Sequence, residues 1–226
     1  AVLERTLFHT TNSYFIPNVK ATAISCKTNL PPNTAFRGFG GPQGMFVIES
    51  AIHKAALSIG IEPYIIQKKN LLVEGSKFYY GQIAKRVNAS KCWNEAVTRY
   101  SFDSIKNSVE EFNSKNILKK KGISFMPVCF GISFTNTMMN QASALVHIYT
   151  DGSVSVSTAA VEMGQGVNEK MINIASKVFS IDKVKVKVES TNTTRVANTS
   201  PTAASSAADL NGNALLFACN SLLARL

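Results

Sequence analysis

The sequence predicts an α+β fold arranged in two lobes. Helical and extended patterns alternate along its 226 residues, and hydrophobic residues make up 45% of the chain, enough for a substantial core. An Asp151-Gly152 turn between alternating apolar runs adds an antiparallel hairpin. Because the chain begins without a methionine and stops within a helical pattern, we expect the fold to be incomplete at both ends. We assign residues 1–90 to the C-terminal part of a first lobe and residues 91–226 to the N-terminal part of a second.

Local signals predict the elements of the first lobe. Residues 14–28 alternate in side-chain character and are expected to be extended, and a loop rich in Pro, Asn and Gly follows them. A helix is predicted from Pro42 to Gly60, because apolar residues recur at i, i+3 and i+4 and a glycine ends the pattern. Pro63 then begins a second, short helix. Arg5 lies between two leucines two positions away on either side, which predicts an exposed arginine on a strand.

The second lobe is predicted to alternate helices and strands. Apolar residues at helical spacing and alternating runs define seven elements after the polar stretch at residues 75–90. They are a helix from Cys92 towards Asn116, a strand at 123–134, hairpin strands at 143–150 and 153–157, a helix over 167–178, a strand at 184–188 and a last helix from Thr202. Trp93 and Phe112 are expected to pack in the core rather than to contact a ligand.

The composition argues against two classes of partner. The formal net charge of +10 would suit a nucleic-acid-binding module. However, the lysines are dispersed, and the single run at residues 119–121 has no aromatic residues interleaved with it, so a solvated surface is the preferred interpretation. No apolar run reaches the length of a membrane span, and no signal-peptide pattern is visible. We therefore expect neither a nucleic acid nor a membrane as partner.

Cysteine and histidine spacing predicts no metal centre made by this chain's own side chains. The four cysteines, Cys26, Cys92, Cys129 and Cys219, lie far apart and form no CxxC pair. A zinc site or an iron–sulfur cluster is therefore not encoded here, and we expect buried, reduced thiols. His9 is isolated, His53 lies on a predicted helix and His147 lies within a predicted strand, so the histidines form no cluster.

Three loops rich in glycine or other small residues predict a site for one bulky anionic cofactor. They are residues 37–44, 162–166 and 200–205. Each precedes a helical pattern, so its backbone N–H groups lie where an anion is favoured, and small residues allow close approach. The first loop matches neither a P-loop nor a dinucleotide fingerprint. A tight turn with structural glycines explains the first loop equally well, and helix capping alone would explain the third.

Three side chains near these loops are candidates for ligand chemistry. Phe39 and Phe134 stand among small residues, so each either presents a face to a flat aromatic substrate or packs in the core. Glu162 is either an acid/base or a surface or capping residue. The residues themselves leave these alternatives open.

Five longer stretches share their order and approximate spacing with one protein family. The stretches are residues 26–43, Phe130-Gly-Ile-Ser-Phe-Thr135, Tyr149-Thr-Asp-Gly-Ser-Val154, Glu162-Met-Gly-Gln-Gly166 and Asn198-Thr-Ser-Pro-Thr-Ala-Ala-Ser205. Together they cover almost the whole chain, and they resemble the molybdenum hydroxylase family, which contains xanthine dehydrogenase and aldehyde oxidase. The resemblance implies a two-lobed molybdopterin-binding domain, of which this chain is a piece.

The resemblance also implies cofactors, assembly and location. It implies a molybdopterin carrying molybdenum, with FAD and [2Fe–2S] clusters in the full-length protein but outside this fragment. The full-length protein is expected to be a homodimer in the cytoplasm, with the peroxisome as the alternative location. In the family, the glutamate that acts as base lies beyond the position of residue 226. No catalytic residue is therefore expected within this chain, and the fragment alone is expected to be inactive.

Individual residues match functional positions of the family. The positions at the cofactor are matched by Arg37, Gly38, Gln165, Gly166, Ala204 and Ser205. Of these, Arg37 and Ala204 match positions next to the molybdenum. Phe39 and Phe134 match two aromatic residues that sandwich a heteroaromatic ring of the substrate, and Thr135 matches a polar substrate contact.

Arg5 indicates the substrate class under this resemblance. It matches an arginine that stabilises negative charge developing on a purine, and aldehyde oxidases generally lack an arginine there. Molybdenum-dependent hydroxylation of hypoxanthine and xanthine to urate is therefore the preferred activity. Aldehyde oxidase-like oxidation of aldehydes and N-heterocycles is the first alternative. A degenerate, non-catalytic scaffold is the second, because Thr158-Ala159-Ala160 stand where the family usually has His-Gly-Gly.

Overall fold

The computed structural model describes residues 2–31, 36–196 and 199–226. Their backbone forms two compact units, which divide between Gly131 and Ile132. The first unit contains helices, and the second contains a small sheet with two packed helices. This mixture confirms the predicted α+β class. The lobe boundary between residues 90 and 91 concerns the lobes of a larger domain and stays a prediction.

Five helices form the regular structure of the described part of the first unit. They are α1 (Val2–Phe8), α2 (Gly41–Ile59), α3 (Pro63–Lys69), α4 (Ala89–Arg99) and α5 (Phe102–Lys115). The two proline-initiated helices were predicted, and proline occupies the first turn of both. Gly60 ends α2 as predicted, with φ of 69° and its N–H bonded to the carbonyl of Ala56.

The predicted helix from residue 92 to residue 116 is two helices. The chain turns at Tyr100 and Ser101, and Ser101 has φ of 47°, which interrupts the α-helical backbone. Trp93 is buried as predicted, and its ring contacts the ring of Phe125 at 4.4 Å between centroids. Phe112 is only half-buried, and the Lys121 ammonium lies over its ring, so its assignment to the core was wrong.

Arg5 does not lie on a strand. Residues around it form helix α1, and Arg5 is buried, with 6% of its surface exposed. The predicted exposed arginine is therefore wrong. The physical reason is the close packing of α1 on the start of α2. A Cβ added at Gly40 would collide with the Val2 carbonyl, and one added at Gly44 would collide with the Thr6 carbonyl.

The segments at residues 14–28 and 123–134, both predicted as extended, form no strand in the described chain. Between residues 123 and 129 burial still alternates with period two. Side chains take the place of a neighbouring strand: Gln67 Nε2 donates to the Phe125 carbonyl at 2.9 Å, and Asn12 Nδ2 donates to the Pro127 carbonyl at 2.7 Å. The prediction of an extended backbone agrees with this alternation. The prediction of a strand was wrong, because side chains rather than a neighbouring strand supply the hydrogen bonds.

A buried polar network supports these contacts. The carboxylate of Glu49 accepts hydrogen bonds from Asn12 Nδ2 at 3.0 Å, from the Tyr14 hydroxyl at 2.7 Å and from Gln67 Nε2 at 2.7 Å. Tyr14 is 1% exposed. Burial is the largest cause that raises the pKa of its hydroxyl, and the hydrogen bond to Glu49 is the second. Because each of these polar groups has a partner, the network joins α2 and α3 to the extended segment without an unpaired charge.

The second unit is built on a three-stranded sheet of β1 (Ala144–Ile148), β2 (Val154–Thr158) and β3 (Val186–Val188). Strands β1 and β2 pair antiparallel and form the predicted hairpin, and β2 and β3 pair parallel. Gly152 has φ of 79° in the hairpin turn. The predicted strand at 184–188 is shorter, because Lys183–Lys185 forms a 3₁₀ turn.

Helices α6 (Val167–Phe179) and α7 (Ala207–Leu223) pack on this sheet and on each other. The core lies between these elements. Its fully buried members are Val156, Val167, Met171, Ala175, Leu215 and Cys219. Helix α6 matches its prediction closely. Helix α7 begins at Ala207 rather than at Thr202, because Ala204 and Ser205 have φ of 53° and 55°, which no right-handed helix allows.

No single helix in the described ranges has both the length and the apolar composition of a membrane span, although the pair α2 and α3, bent by 117°, passes this test together. All four cysteines are free. Cys26 and Cys92 are exposed, so the prediction that all thiols are buried was wrong for these two. Burial raises the pKa of the Cys219 thiol to about 11.

Candidate functional site

The residues assigned to a site by sequence lie in both units. The first unit contains Arg5, Arg37, Gly38 and Phe39. The second contains Phe134, Thr135, Gln165, Gly166, Ala204 and Ser205. Part of the motif at residues 26–43 and the first residue of the motif at 198–205 fall outside the described residues.

The guanidinium of Arg5 is buried and only partly satisfied. Its Nη1 donates to the Gly131 carbonyl at 2.7 Å, whereas its Nη2 is buried and has no hydrogen-bond partner among the described residues. Burial lowers the pKa of Arg5 below its usual value, although an arginine remains a cation at neutral pH. A buried N–H group without an acceptor is costly. Nη2 is thus a preformed donor for an acceptor that the described chain does not supply.

His9 supports this arginine, and the sequence did not reveal it. His9 is 3% exposed, and its imidazole lies between Arg5 and the peptide of Gly131. Nδ1 is 2.7 Å from the Arg5 carbonyl, and the Gly131 N–H donates to Nε2 at 2.9 Å. Burial, the largest cause, lowers the pKa of His9. The four-residue spacing from Arg5 was a usable signal only once α1 was known to be a helix.

Three glycines of the loop at residues 37–44 are explained by packing. Besides the contacts at Gly40 and Gly44, a Cβ at Gly41 would meet the ring of Phe130. The alternative of structural glycines therefore holds for these three positions. Gly38 has φ of 95°, which an L-residue rarely adopts, and Pro42 lies against the position its Cβ would occupy. The loop is therefore held rigidly against α1.

The side chains of this loop remain available for a ligand. Phe39 has φ of 50°, its N–H bonds the Phe36 carbonyl at 2.8 Å, and it is half-buried. Such a backbone is strained for a phenylalanine, and strain of this kind concentrates at ligand sites. Arg37 is exposed, and its guanidinium has no hydrogen bond to any described residue. Their proposed roles at a substrate and a cofactor stay predictions.

Direct hydrogen bonds bring three predicted segments of the second unit together. The Ser133 N–H donates to the Ala204 carbonyl at 2.8 Å, which joins the segment before Phe134 to the third loop. The Val161 N–H donates to Thr202 Oγ1 at 2.9 Å, which joins the second loop to the third. The sequence placed these segments in one site without indicating their contacts, and the structure confirms that they are neighbours.

Glu162 caps the helix that follows it. Its carboxylate accepts hydrogen bonds from the backbone N–H groups of Gly164, Gly166 and Asn168 at 2.9, 3.0 and 3.1 Å. The bond from Asn168 is the largest cause that lowers the pKa of Glu162, followed by the bond from Gly166. Of the alternatives left open, the geometry favours the cap. The anion at the start of α6 is thus the chain's own carboxylate.

Gln165 is turned back onto its loop. Its Nε2 donates to the Val161 carbonyl at 2.7 Å, and its Oε1 accepts from the Met163 N–H. The backbone beside it is open, because Gly164 and Gly166 have φ of 84° and 74° and an added Cβ at either would meet no atom within 4 Å. A large ligand can therefore approach this loop closely.

The third loop and the Phe134 segment also have the features of a ligand site. Ala204 and Ser205 both hold the left-handed conformation, which is costly for L-residues and is retained where the surrounding structure requires it. Ala204 is half-buried and Ser205 is exposed. Phe134 is half-buried, and its N–H and C=O both bond the Asn140 side chain, at 2.9 and 3.0 Å. Thr135 is exposed.

These observations fit a bulky organic cofactor. In the described part of the chain, no group of three or more His, Cys, Asp or Glu side chains is placed to hold a metal. Open glycine backbone and small residues instead leave room for an organic group. The methyl group of Ala160, which departs from the family's glycine, is 2% exposed and packs in the core with Val167. It therefore takes no space beside the open loop.

Comparison with known protein families gives the same assignment. The molybdopterin cofactor-binding domain is matched twice, by one family over residues 1–71 and by a second over residues 95–226. The second match alone covers more than half of the chain.

Curated relatives are similar along the whole chain. The sequence is 45% identical to xanthine dehydrogenase/oxidase of Mus musculus over 226 residues, 45% identical to xanthine dehydrogenase of Dictyostelium discoideum over 225 residues and 45% identical to xanthine dehydrogenase 1 of Arabidopsis thaliana over 226 residues. Each alignment covers 100% of this chain. The chain spans only 17% of the length of each of these relatives.

Solved structures share the fold at lower identity. Quinoline 2-oxidoreductase from Pseudomonas putida 86 superposes with a TM-score of 0.78 and 20% identity, covering 97% of this chain and 29% of that one. Aldehyde oxidoreductase from Desulfovibrio gigas superposes with a TM-score of 0.77 and 22% identity, covering 99% of this chain and 24% of that one. The loop geometry, the family matches and the fold agree, and the chain belongs to the molybdopterin cofactor-binding family.

Proposed function

We propose that this chain is the cofactor- and substrate-binding part of a molybdenum hydroxylase that oxidises hypoxanthine and xanthine to urate. The observation that carries the proposal is the buried guanidinium of Arg5, whose Nη2 has no partner in the described part of the chain. The similarity to proteins named xanthine dehydrogenase supports the same substrate class.

A fixed buried cation suits this chemistry. When a purine is hydroxylated, negative charge develops on ring nitrogen and oxygen atoms far from the reacting carbon. A guanidinium that is already desolvated interacts strongly with that charge and needs no rearrangement. Aldehydes develop no comparable distant charge, so Arg5 would contribute nothing to their oxidation. The arginine therefore favours a purine over an aldehyde as substrate.

The other residues assigned to the site would bind the cofactor or the substrate. Arg37, Gly38, Gln165, Gly166, Ala204 and Ser205 would hold the molybdopterin, with Arg37 and Ala204 beside the molybdenum. Phe39 and Phe134 would each contact a flat ring of the substrate, and Thr135 would contact a polar group of it. When bound, the cofactor supplies the redox chemistry, and these residues bind and orient. A base glutamate, FAD, [2Fe–2S] clusters, a homodimer and a cytoplasmic location remain part of the proposal for the longer protein.

Aldehyde oxidation is the second candidate. The fold likeness to the aldehyde oxidoreductase of Desulfovibrio gigas favours it, but at 22% identity that likeness bears on fold alone. A scaffold without catalysis is less well supported, because the Ala160 methyl group is accommodated in the core. Molybdenum analysis of the full-length protein tests the scaffold directly, since a scaffold would contain none.

The substrate class is tested by Arg5→Met and Arg5→Lys in the full-length protein. We expect kcat/KM for xanthine to fall by about 100- to 1000-fold in Arg5→Met, the size of effect seen when a preorganised donor is removed. We expect kcat/KM for an aromatic aldehyde to change by less than about threefold, since no charged group of the aldehyde would meet Arg5. Steady-state kinetics with both substrates provides the measurement.

The control is Arg99→Met, which removes an exposed arginine of α4. Equal losses on both substrates would mean that Arg5 is structural. A wild-type enzyme that takes the aldehyde and not xanthine would favour the second candidate.

A further inference from the structure

We infer that His9 is a positioning residue that holds the Arg5 guanidinium towards its ligand by clamping the Gly131 peptide; the inference rests on the proposed function. His9 receives the Gly131 N–H on Nε2, and Arg5 Nη1 donates to the Gly131 carbonyl. The imidazole also contacts the Arg5 carbonyl through Nδ1. The N–H and the C=O of Gly131, which belong to the peptide units on either side of its Cα, are thus held by two residues one helical turn apart.

The hydrogen bonds determine the tautomer of His9. An N–H group can donate only to a nitrogen without a proton, so Nε2 is unprotonated where the Gly131 N–H meets it. Nδ1 then carries the proton and donates to the Arg5 carbonyl at 2.7 Å. The structure therefore assigns His9 as neutral, with the proton on Nδ1.

The surroundings of the imidazole leave Arg5 as the charged group that acts on it. The ring of Phe130 lies 4.7 Å from the imidazole between centroids, and α2 approaches the His9 backbone at Gly44, so neither neighbour titrates. Burial and the Arg5 cation both lower the pKa of His9. Protonation would place an N–H group against the Gly131 N–H and open the clamp.

The Arg5 guanidinium and the His9 imidazole both lie close to the Cα of Gly131. A Cβ added at Gly131 would lie 3.0 Å from Arg5 Nη1 and 3.7 Å from His9 Nε2. The guanidinium therefore lies against Gly131 as well as donating to its carbonyl. Losing the imidazole would release Gly131 and, with it, the acceptor that fixes Nη1.

Two variants separate positioning from packing in the full-length enzyme. His9→Leu removes both hydrogen bonds, whereas His9→Gln keeps a donor and an acceptor at nearly the same separation and cannot be protonated. We expect His9→Leu to raise KM for xanthine about tenfold or more, with kcat/KM for an aromatic aldehyde unchanged. We expect His9→Gln to restore most of the purine activity and to abolish its decline at acidic pH. His53→Gln, on the exposed face of α2, is the control.

A spectroscopic readout is independent of turnover. Nitrogen-15 NMR of the imidazole in the full-length protein should show the Nδ1–H tautomer, and the Arg5 Nη signals should be sharp in the wild type and in His9→Gln but broad in His9→Leu. An Nε2–H tautomer, or equal losses on both substrates in both variants, would overturn the clamp. If His9→Leu does not fold, the tautomer of His9 in the wild type and the pH profile of His9→Gln still test the clamp. A wild-type enzyme that does not oxidise xanthine refutes the proposed function, while the tautomer continues to test the clamp.

Discussion

At the scale of single residues, burial determines what the ionisable groups can do. Arg5 and His9 are both buried, and both hydrogen-bond Gly131. Both ring nitrogens of His9 have a partner, whereas Arg5 Nη2 has none among the described residues. The exposed Glu162 instead gains three backbone donors that favour its charged form. The same chain thus contains a neutral imidazole and a stabilised carboxylate, each assigned by its neighbours rather than by its residue type.

The lowered pKa of His9 predicts how stability depends on pH. Because the folded chain disfavours the proton, the unfolded chain binds it more readily below its ordinary pKa of 6.5. The contribution of His9 is present above that value and is lost as the pH falls through it. Urea unfolding at several pH values between about 5 and 8 should show this loss in the wild type and not in His9→Gln. Parallel curves for the two proteins would contradict the prediction.

At the scale of elements, side chains replace a missing strand beside residues 123–131. This segment stays extended outside any sheet, and its Phe125, Pro127 and Gly131 are hydrogen-bonded by the side chains of Gln67, Asn12, His9 and Arg5. Pro127 fits this arrangement, because its backbone lacks an N–H and only its carbonyl is bonded there. A local side chain likewise stabilises the start of α6, where the Glu162 carboxylate accepts hydrogen bonds from backbone N–H groups.

The polar network behind that segment predicts a cost for Tyr14→Phe. The variant removes a hydroxyl that donates to Glu49 at 2.7 Å and leaves a half-buried carboxylate with one donor fewer. We expect the free energy of unfolding to fall by about 1–2 kcal/mol, the usual effect of losing a hydrogen bond to a charged group. Tyr100→Phe, at a tyrosine that is 65% exposed, serves as the control in chemical denaturation. If both variants unfold alike, the network does not stabilise the chain.

At the scale of the whole molecule, large apolar side chains remain on the surface. Phe46 and Leu57 of α2 are 74% and 68% exposed, and they lie about three helical turns apart on one face. The relatives that align with this chain are about six times as long, by the 17% coverage. Exposed apolar surface of this kind favours association.

We therefore expect the 226-residue chain on its own to associate as its concentration rises. The Phe46→Ser and Leu57→Ser double variant should shift sedimentation profiles towards the monomer, since it removes apolar area from that face. Val184→Ser changes an 86% exposed residue of the other unit and should leave the profile unchanged. An unaltered profile in the double variant would show that α2 is not the associating surface.

Local patterns determined much of this fold in advance. Prolines and a glycine delimited α2 and α3, Asp151-Gly152 determined the hairpin, and apolar spacing determined α6, because each signal acts within a few residues. Three small-residue loops also indicated the site and its anionic, bulky ligand. Family resemblance supplied the roles of Arg37 and Ala204, which stay predictions.

Tertiary structure alone decided the rest. Arg5 is buried because it meets Gly131, 126 positions away, and His9 joins them across 122 positions. Period-two alternation at residues 123–129 described an extended backbone but contained no information about which groups would bond it. Ala204 and Ser205, which precede α7, have a left-handed backbone. The Ala204 carbonyl accepts a hydrogen bond from the distant Ser133 N–H. Sequence spacing determines the conformation that a segment prefers, whereas contacts between distant segments determine which groups are buried and which remain free for a ligand.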